Sequence, residues 1–205
     1  GQYDLVIGNP PWVTGTKLPG YSEVRRIVAR IAAERLPEDA GEPPLPNECM
    51  DLPFVWRAME WAKDGGRIAF ALHGRLLFQQ GDGMPRARSA VFQAVEVSSV
   101  LNGAELRNTL VWPEIRAPFC LFFAVNQIPL PNTAFRFFSP HIESELNGAG
   151  RLRLDATHTE LVTSQQVQER PTIFKTLFRG SKLDVEVIDL EALQNGINSA
   201  TEKWQ

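Results

Sequence analysis

The chain has 205 residues, of which 43% are hydrophobic and 22% charged, and its formal net charge is −3 at pH 7. These proportions are typical of a globular protein and exclude a wholly basic nucleic-acid module, although a local basic face would still permit DNA contact. No segment approaches the ~20 apolar residues of a membrane span and no signal peptide opens the chain, so we expect a cytoplasmic protein without a membrane partner. The two cysteines, Cys49 and Cys120, lack metal-ligand spacing, which predicts free thiols and no metal site.

Hydrophobic periodicity predicts alternating strands and helices in the first third of the chain. Tyr3–Gly8 is a continuous apolar run, which is typical of a buried strand. Helical spacing follows to about Leu36, and Ser22 is a residue type favoured at the N-cap. The Pro-, Glu- and Gly-rich stretch over 37–46 predicts an exposed loop. A helix over 52–62, a stop at 64–66 and a strand over 67–72 complete this part.

The middle of the chain continues the same alternation. The pattern predicts a loop over 73–83, a helix over 85–94, and strands over 97–101, 119–125 and 134–138. Strands that alternate with helices are typical of an α/β fold with a parallel sheet. The two late strands are expected to close this sheet with an antiparallel edge.

Beyond residue 139 the chain becomes more polar, which predicts a division into residues 1–139 and a junction or tail segment over 140–205. Within the tail, residues 152–154 suggest a short strand and residues 170–178 a helix that ends at 179–181. Residues 183–193 suggest a strand or turn followed by a helix. The polar stretch over 195–205 is expected to be frayed.

The most informative stretch is Asn9-Pro10-Pro11-Trp12, which directly follows the first strand. An Asn side chain offers an acceptor oxygen and two donor hydrogens. The two prolines make a stiff corner whose carbonyls can accept hydrogen bonds, and Trp12 offers a flat face for stacking. This combination suits a planar heterocycle with an exocyclic amine, and it therefore indicates methylation of an amino group.

Asp4-Leu5-Val6-Ile7-Gly8 followed by Asn-Pro-Pro-Trp resembles the catalytic motif of adenine-N6-specific DNA methyltransferases of the large restriction-modification type. The resemblance implies the second half of a class I, Rossmann-like methyltransferase sheet, with S-adenosylmethionine as the cofactor of the parent protein. The substrate would be double-stranded DNA with a flipped adenine. Asn9, Pro10, Pro11 and Trp12 would be the catalytic residues: Asn9 and the Pro10 carbonyl accept from the amine, and Trp12 stacks on the base.

Other segments extend the resemblance over about two-thirds of the chain. Residues 54–72 and 86–106 resemble the segments that follow the catalytic corner, and residues 174–184 loosely resemble a junction segment. His73 and Arg75 follow a strand, where α/β sheets place ligands, so they are candidates for lining the substrate pocket with Trp12. A histidine at such a place also commonly serves only as a hydrogen-bonding group in a loop.

One feature of the family is missing from the sequence. No glycine-rich cofactor turn precedes Tyr3, and Gly81-Asp82-Gly83 has the character of a flexible loop. We therefore expect a carboxyl-terminal part of a longer methyltransferase, which alone binds S-adenosylmethionine weakly or not at all and is inactive. Asn9 is expected near the donor methyl group, and other restriction-modification subunits or fused domains are expected partners.

Two other interpretations stay open at this point. The same corner serves methyltransferases that act on a glutamine side-chain amide or an RNA base, although these usually carry Tyr at the position of Trp12. The chain is also compatible with a non-catalytic interaction or specificity fragment. The arginines of the first helix alternate with glutamates, so they favour a solvated face over a DNA-tracking one.

Overall fold

A computed structural model describes residues 1–15, 19–130, 132–181 and 183–188. Six strands are present in this part of the chain: β1 (Tyr3–Gly8), β2 (Ala62–His73), β3 (Glu96–Asn102), β4 (Phe119–Val125), β5 (Ala134–Phe138) and β6 (Thr159–Thr163). The helices are α1 (Tyr21–Ala33), α2 (Asp51–Trp61), α3 (Arg75–Phe78), α4 (Met84–Ala94), α5 (Ser144–Gly148), α6 (Ser164–Glu169) and α7 (Ile173–Thr176). None of the helices in these residues is long and apolar enough to cross a bilayer.

All six strands form one mixed sheet in the order β1-β2-β4-β3-β5-β6. Strands β1, β2, β3 and β5 share one direction, whereas β4 and β6 run the opposite way. The α/β fold class is therefore confirmed. The reversed strand β4 lies inside the sheet between β2 and β3, and the antiparallel edge is β6, which the sequence did not indicate.

The main hydrophobic core lies on one face of the sheet. Alternate side chains of β2, namely Ile68, Phe70 and Leu72, point into it and are at most 4% exposed. Helices α1, α2, α4, α6 and α7 contribute buried residues to the same core. The opposite face carries a smaller cluster around Leu101, Leu106 and Phe119, which is covered by residues of the loop between β3 and β4.

Strand β1 corrects the prediction that residues 3–8 are buried. Tyr3, Leu5 and Ile7 are 56%, 54% and 74% exposed, while Val6 packs against the main core. The reason is position, because within the described residues β1 is an edge strand that pairs with β2 alone. Its odd-numbered side chains project from the face of the sheet opposite the helices.

Several local boundaries also differ from the prediction. Helix α1 begins at Tyr21, and its N-cap is Gly20 with φ of 76°, so Ser22 lies inside the helix rather than capping it. The segment over 37–46 is not wholly exposed, since Leu45 is 4% exposed and Pro46 is buried. Residues 152–154 form no strand, and 183–188 are helical rather than extended.

The predicted stop over residues 64–66 lies inside β2 instead of before it. Buried Asn126 explains how the chain leaves α2 and enters the strand at once. Its amide nitrogen donates to the carbonyls of Met59, Ala62 and Lys63 at 2.9, 2.8 and 3.2 Å. The helix therefore ends on the side chain of the residue that directly follows β4. The remaining predicted tail elements, over 189–193 and 195–205, lie outside the described residues.

The segment beyond residue 139 packs on the same core as the rest of the chain. Strand β6 pairs with β5, and buried Phe174 of α7 has its ring centroid 5.7 Å from Phe92 and 5.0 Å from Phe137. The division of the chain at residue 139 stays a prediction. The packing indicates that α7 and α4 contribute to one hydrophobic core.

Replacing Phe174 with Ala should lower the free energy of unfolding by about 3–5 kcal/mol, because a fully buried aromatic ring is lost from the core. Urea denaturation at equilibrium measures this change. The control is Leu161→Ala on β6, whose side chain is 58% exposed and whose loss should cost under about 0.5 kcal/mol. A cost at Phe174 no larger than that at Leu161 would contradict a shared core.

Candidate functional site

The Asn9-Pro10-Pro11-Trp12 corner lies at the carboxyl ends of the parallel strands β1 and β2. Open α/β sheets bind their ligands at this edge. Asn9 is exposed, and its side chain makes no hydrogen bond to any residue that the structure describes. Pro10 is buried, Pro11 is exposed and Trp12 is half-buried. The corner thus presents a free amide group on a fixed backbone.

The indole of Trp12 is held by the end of β2. Strand β1 stops with Gly8 opposite Phe70, and the next carbonyl along β2, that of Ala71, accepts from Trp12 Nε1 at 3.1 Å. The ring also meets His73 edge to face, with centroids 6.0 Å apart. These contacts fix the orientation of Trp12 from two sides.

A second tryptophan lies beside the first. The Trp112 ring is 5.7 Å from that of Trp12 and 4.9 Å from that of Phe119, in both cases close to perpendicular. Trp112 therefore lies in the aromatic cluster at the candidate site and packs against the smaller hydrophobic cluster.

The backbone after Trp12 is pinned by two other segments. The Trp12 carbonyl accepts a hydrogen bond from Arg75 Nη2, and the Val13 carbonyl accepts from the Met50 N–H at 3.3 Å. Thr14 forms an isolated antiparallel bridge with Cys49. The corner is therefore tied to the starts of α2 and α3 as well as to β1.

A buried carboxylate that sequence reasoning missed lies under this corner. Asp51 at the start of α2 is fully buried, its Oδ2 accepts from the His73 N–H at 3.3 Å, and it lies 3.6 Å from Arg75 Nε. Burial raises the pKa of the Asp51 carboxyl, and the nearby Arg75 guanidinium opposes that rise. The available sequence signal was an aspartate at the head of a helix whose first turns are otherwise apolar.

His73 acts as an acceptor in this network. Its Nδ1 accepts from the Arg75 N–H at 3.0 Å, which places the ring proton of the neutral form on Nε2. Burial, together with the Arg75 charge, lowers the pKa of His73 to about 4. The structure thus brings the predicted residues Trp12, His73 and Arg75 together. Arg75 faces the Trp12 backbone, and its predicted contact with a substrate stays a prediction.

Two further groups of candidate residues are the Gly81–Gly83 segment and the two cysteines. Gly81-Asp82-Gly83 forms the turn between α3 and α4, where Gly83 is the N-cap with φ of 81°. Both cysteines are free and buried. Among the residues that the structure describes, no group of three or more His, Cys, Asp or Glu is placed to hold a metal ion.

The arginines of α1 and α4 differ in exposure. On α1, Arg26 pairs with Glu23 and Arg30 with Glu60, as expected of a solvated face. Arg88 is fully buried and donates to the carbonyls of Leu76 and Leu77 at 2.9 and 3.0 Å. Arg88 therefore cannot track a DNA backbone.

No known protein family and no curated protein sequence matches this chain. Among solved structures, a protein from a study of a type I restriction-modification system matches with TM-score 0.55 and 14% identity, over 98% of this chain and 44% of its own. The type IIG restriction endonuclease BpuSI matches with TM-score 0.52 and 13% identity, over 83% and 20%. A type I methyltransferase subunit from Streptococcus thermophilus matches with TM-score 0.50 and 14% identity, over 83% and 36%.

These identities indicate a shared fold. This chain spans less than half the length of each of the three proteins, namely 44%, 20% and 36%. The fold around the Asn9–Trp12 corner is thus one that restriction-modification proteins use, and a methyltransferase subunit is among them.

The low pKa of His73 predicts a specific pH response. The folded chain keeps His73 neutral down to about pH 4, whereas an unfolded chain takes up the proton near pH ~6.5. Because the unfolded state binds more protons between these values, stability should fall as the pH is lowered from about 6.5 to 4. His73→Gln should remove that part of the decline, as measured by urea denaturation across this range.

NMR titration of the His73 ring provides the direct check. A midpoint near 4 is expected for the folded chain, and a midpoint near ~6.5 would contradict the buried, hydrogen-bonded state of the ring.

Proposed function

We propose that this chain is part of a DNA methyltransferase of a restriction-modification or phage-defence system, and that the parent protein methylates the N6 amine of adenine. The observation that carries the proposal is the exposed Asn9 beside a fixed Trp12, at the ligand-binding edge of a fold shared with restriction-modification proteins. The similar structures belong to restriction-modification proteins, which supports the proposed biological setting.

The chemistry follows from the groups at the corner. The amide oxygen of Asn9 and the Pro10 carbonyl accept hydrogen bonds from the exocyclic amine, which directs the nitrogen lone pair away from the ring plane. Trp12 stacks on the extruded base, an interaction that contributes about 1–3 kcal/mol per base. No conventional general base is required, because the amine loses its proton late. Catalysis by these residues is mainly positioning.

S-adenosylmethionine supplies the methyl group in enzymes of this kind. The described residues do not fit that cofactor, because no glycine-rich turn follows a strand in them and Gly81–Gly83 lies between two helices. We therefore assign cofactor binding to another part of the parent protein. The exposed apolar side chains of Tyr3, Leu5 and Ile7 on edge strand β1 support this assignment, since a further α/β unit would cover them.

Asn9→Ala in the full-length protein should lower the rate of methyl transfer to adenine in double-stranded DNA by about 100-fold or more, because the amine loses the acceptor that orients it. Tritium transfer from labelled S-adenosylmethionine, followed by nucleoside analysis, measures both the rate and the product. Asn132→Ala, at an exposed turn, is the matched control and should retain activity.

The outcomes of this assay distinguish methylation of adenine in DNA from methylation of another substrate and from the absence of catalysis. Label on a protein glutamine or on RNA would replace the proposed substrate, and an absence of transfer by the unaltered protein would favour a non-catalytic interaction fragment. Full activity of Asn9→Ala would contradict the proposed role of the Asn9–Trp12 corner in methyl transfer.

The isolated 205-residue chain should bind S-adenosylmethionine weakly or not at all, because its described residues offer no cradle for the cofactor. Isothermal titration calorimetry measures this, with the full-length protein as the positive control. A micromolar dissociation constant for the isolated chain would place a cofactor site within it and refute the assignment.

A further inference from the structure

The ion pair formed by Asp51 and Arg75 is unusually deep for two charged side chains. The side chains are 0% and 9% exposed, and their closest approach is 3.6 Å, between Oδ2 and Nε. Both Asp51 Oδ1 and Arg75 Nε are buried without a hydrogen-bond partner. Burying two charges costs more solvation than such an open geometry returns, so stability alone does not explain the pair.

The hydrogen bonds around the pair converge on Trp12. Arg75 Nη2 donates to the Trp12 carbonyl, and the Arg75 N–H donates to His73 Nδ1, whose ring meets the Trp12 indole. Asp51 Oδ2 in turn accepts from the His73 N–H. Arg75 and His73 therefore contact Trp12 directly, and Asp51 is linked to Trp12 through both of them.

We propose that Asp51 and Arg75 are positioning residues that set the place of Trp12, and through it the Asn9–Trp12 corner. The Arg75 guanidinium donates to the Trp12 carbonyl from the interior of the protein. Asp51 forms the ion pair with this guanidinium and accepts from the His73 N–H. This inference rests on the proposed function for its effect on catalysis, but the effect on Trp12 does not depend on it. A planar guanidinium can face Asp51 with Nε and Trp12 with Nη2 at once, which the single ammonium of lysine cannot do.

The proposal predicts a loss of turnover rather than of binding. In the full-length protein, Arg75→Lys and Asp51→Asn should each lower kcat for methylation of duplex DNA at least tenfold, with KM for DNA changed less than threefold. Because the two residues act as one unit, the double variant should be no more than threefold slower than Arg75→Lys. The controls are Arg57→Lys and Glu60→Gln, from an ion pair on the outer side of α2 that is 40% and 23% exposed, and they should leave kcat unchanged.

A second measurement keeps the inference separate from the proposed function. The protein is labelled with 5-fluorotryptophan, and the Trp12 fluorine resonance is assigned by its absence in Trp12→Phe. Arg75→Lys and Asp51→Asn should shift or broaden this resonance, while Arg57→Lys and Glu60→Gln should not. If the unaltered protein transfers no methyl group to DNA, the proposed function fails, and the resonance alone decides whether Asp51 and Arg75 position Trp12.

The inference is overturned if folded Arg75→Lys and Asp51→Asn leave the Trp12 resonance unchanged. It is also overturned if they change only the melting temperature while kcat, measured well below melting, equals that of the unaltered enzyme. Should Arg75→Lys fail to fold, Asp51→Asn preserves the shape of the side chain and carries both measurements.

Discussion

Pairing of β2 with β1 on one side and β4 on the other is the constraint on which the candidate site depends. Phe70 faces Gly8 of β1, and His73 faces Phe119 of β4, so three chain segments end or begin at one edge. Because β1 is shorter than β2, the Ala71 carbonyl is free to accept from the Trp12 indole. The same strand buries Ile68, Phe70 and Leu72 in the main core, which links the site directly to that core.

Two buried arginines, Arg88 and Arg75, connect separate chain segments by donating hydrogen bonds to main-chain carbonyls. Arg88 binds the carbonyls of Leu76 and Leu77 and also that of Pro171, so one guanidinium joins α4, α3 and the approach to α7. Arg75 does the same for the Trp12 corner. In each case a cation satisfies main-chain carbonyls that no regular element can pair, and unpaired carbonyls in the interior would be costly.

The described helices cover one face of the sheet more completely than the other. The described helices longer than ten residues, α1, α2 and α4, all supply the core on one face, while Tyr3, Leu5 and Ile7 remain exposed on the other. An exposed apolar strand at a sheet edge invites pairing with another strand. This asymmetry supports the proposal that this chain orients the acceptor and that a unit beside β1 binds the methyl donor.

Elements whose periodicity is local, including α2, α4, β4 and β5, are predictable from the sequence, and so is the Asn9–Trp12 corner as a candidate acceptor site. The remaining features of the fold and of the site depend on the tertiary structure. The interior place of β4, the exposure of β1 and the burial of Asp51 depend on partners distant in the chain. Asp51 and Arg75 meet only because α2 and the end of β2 are folded against each other, and no short-range pattern records that contact.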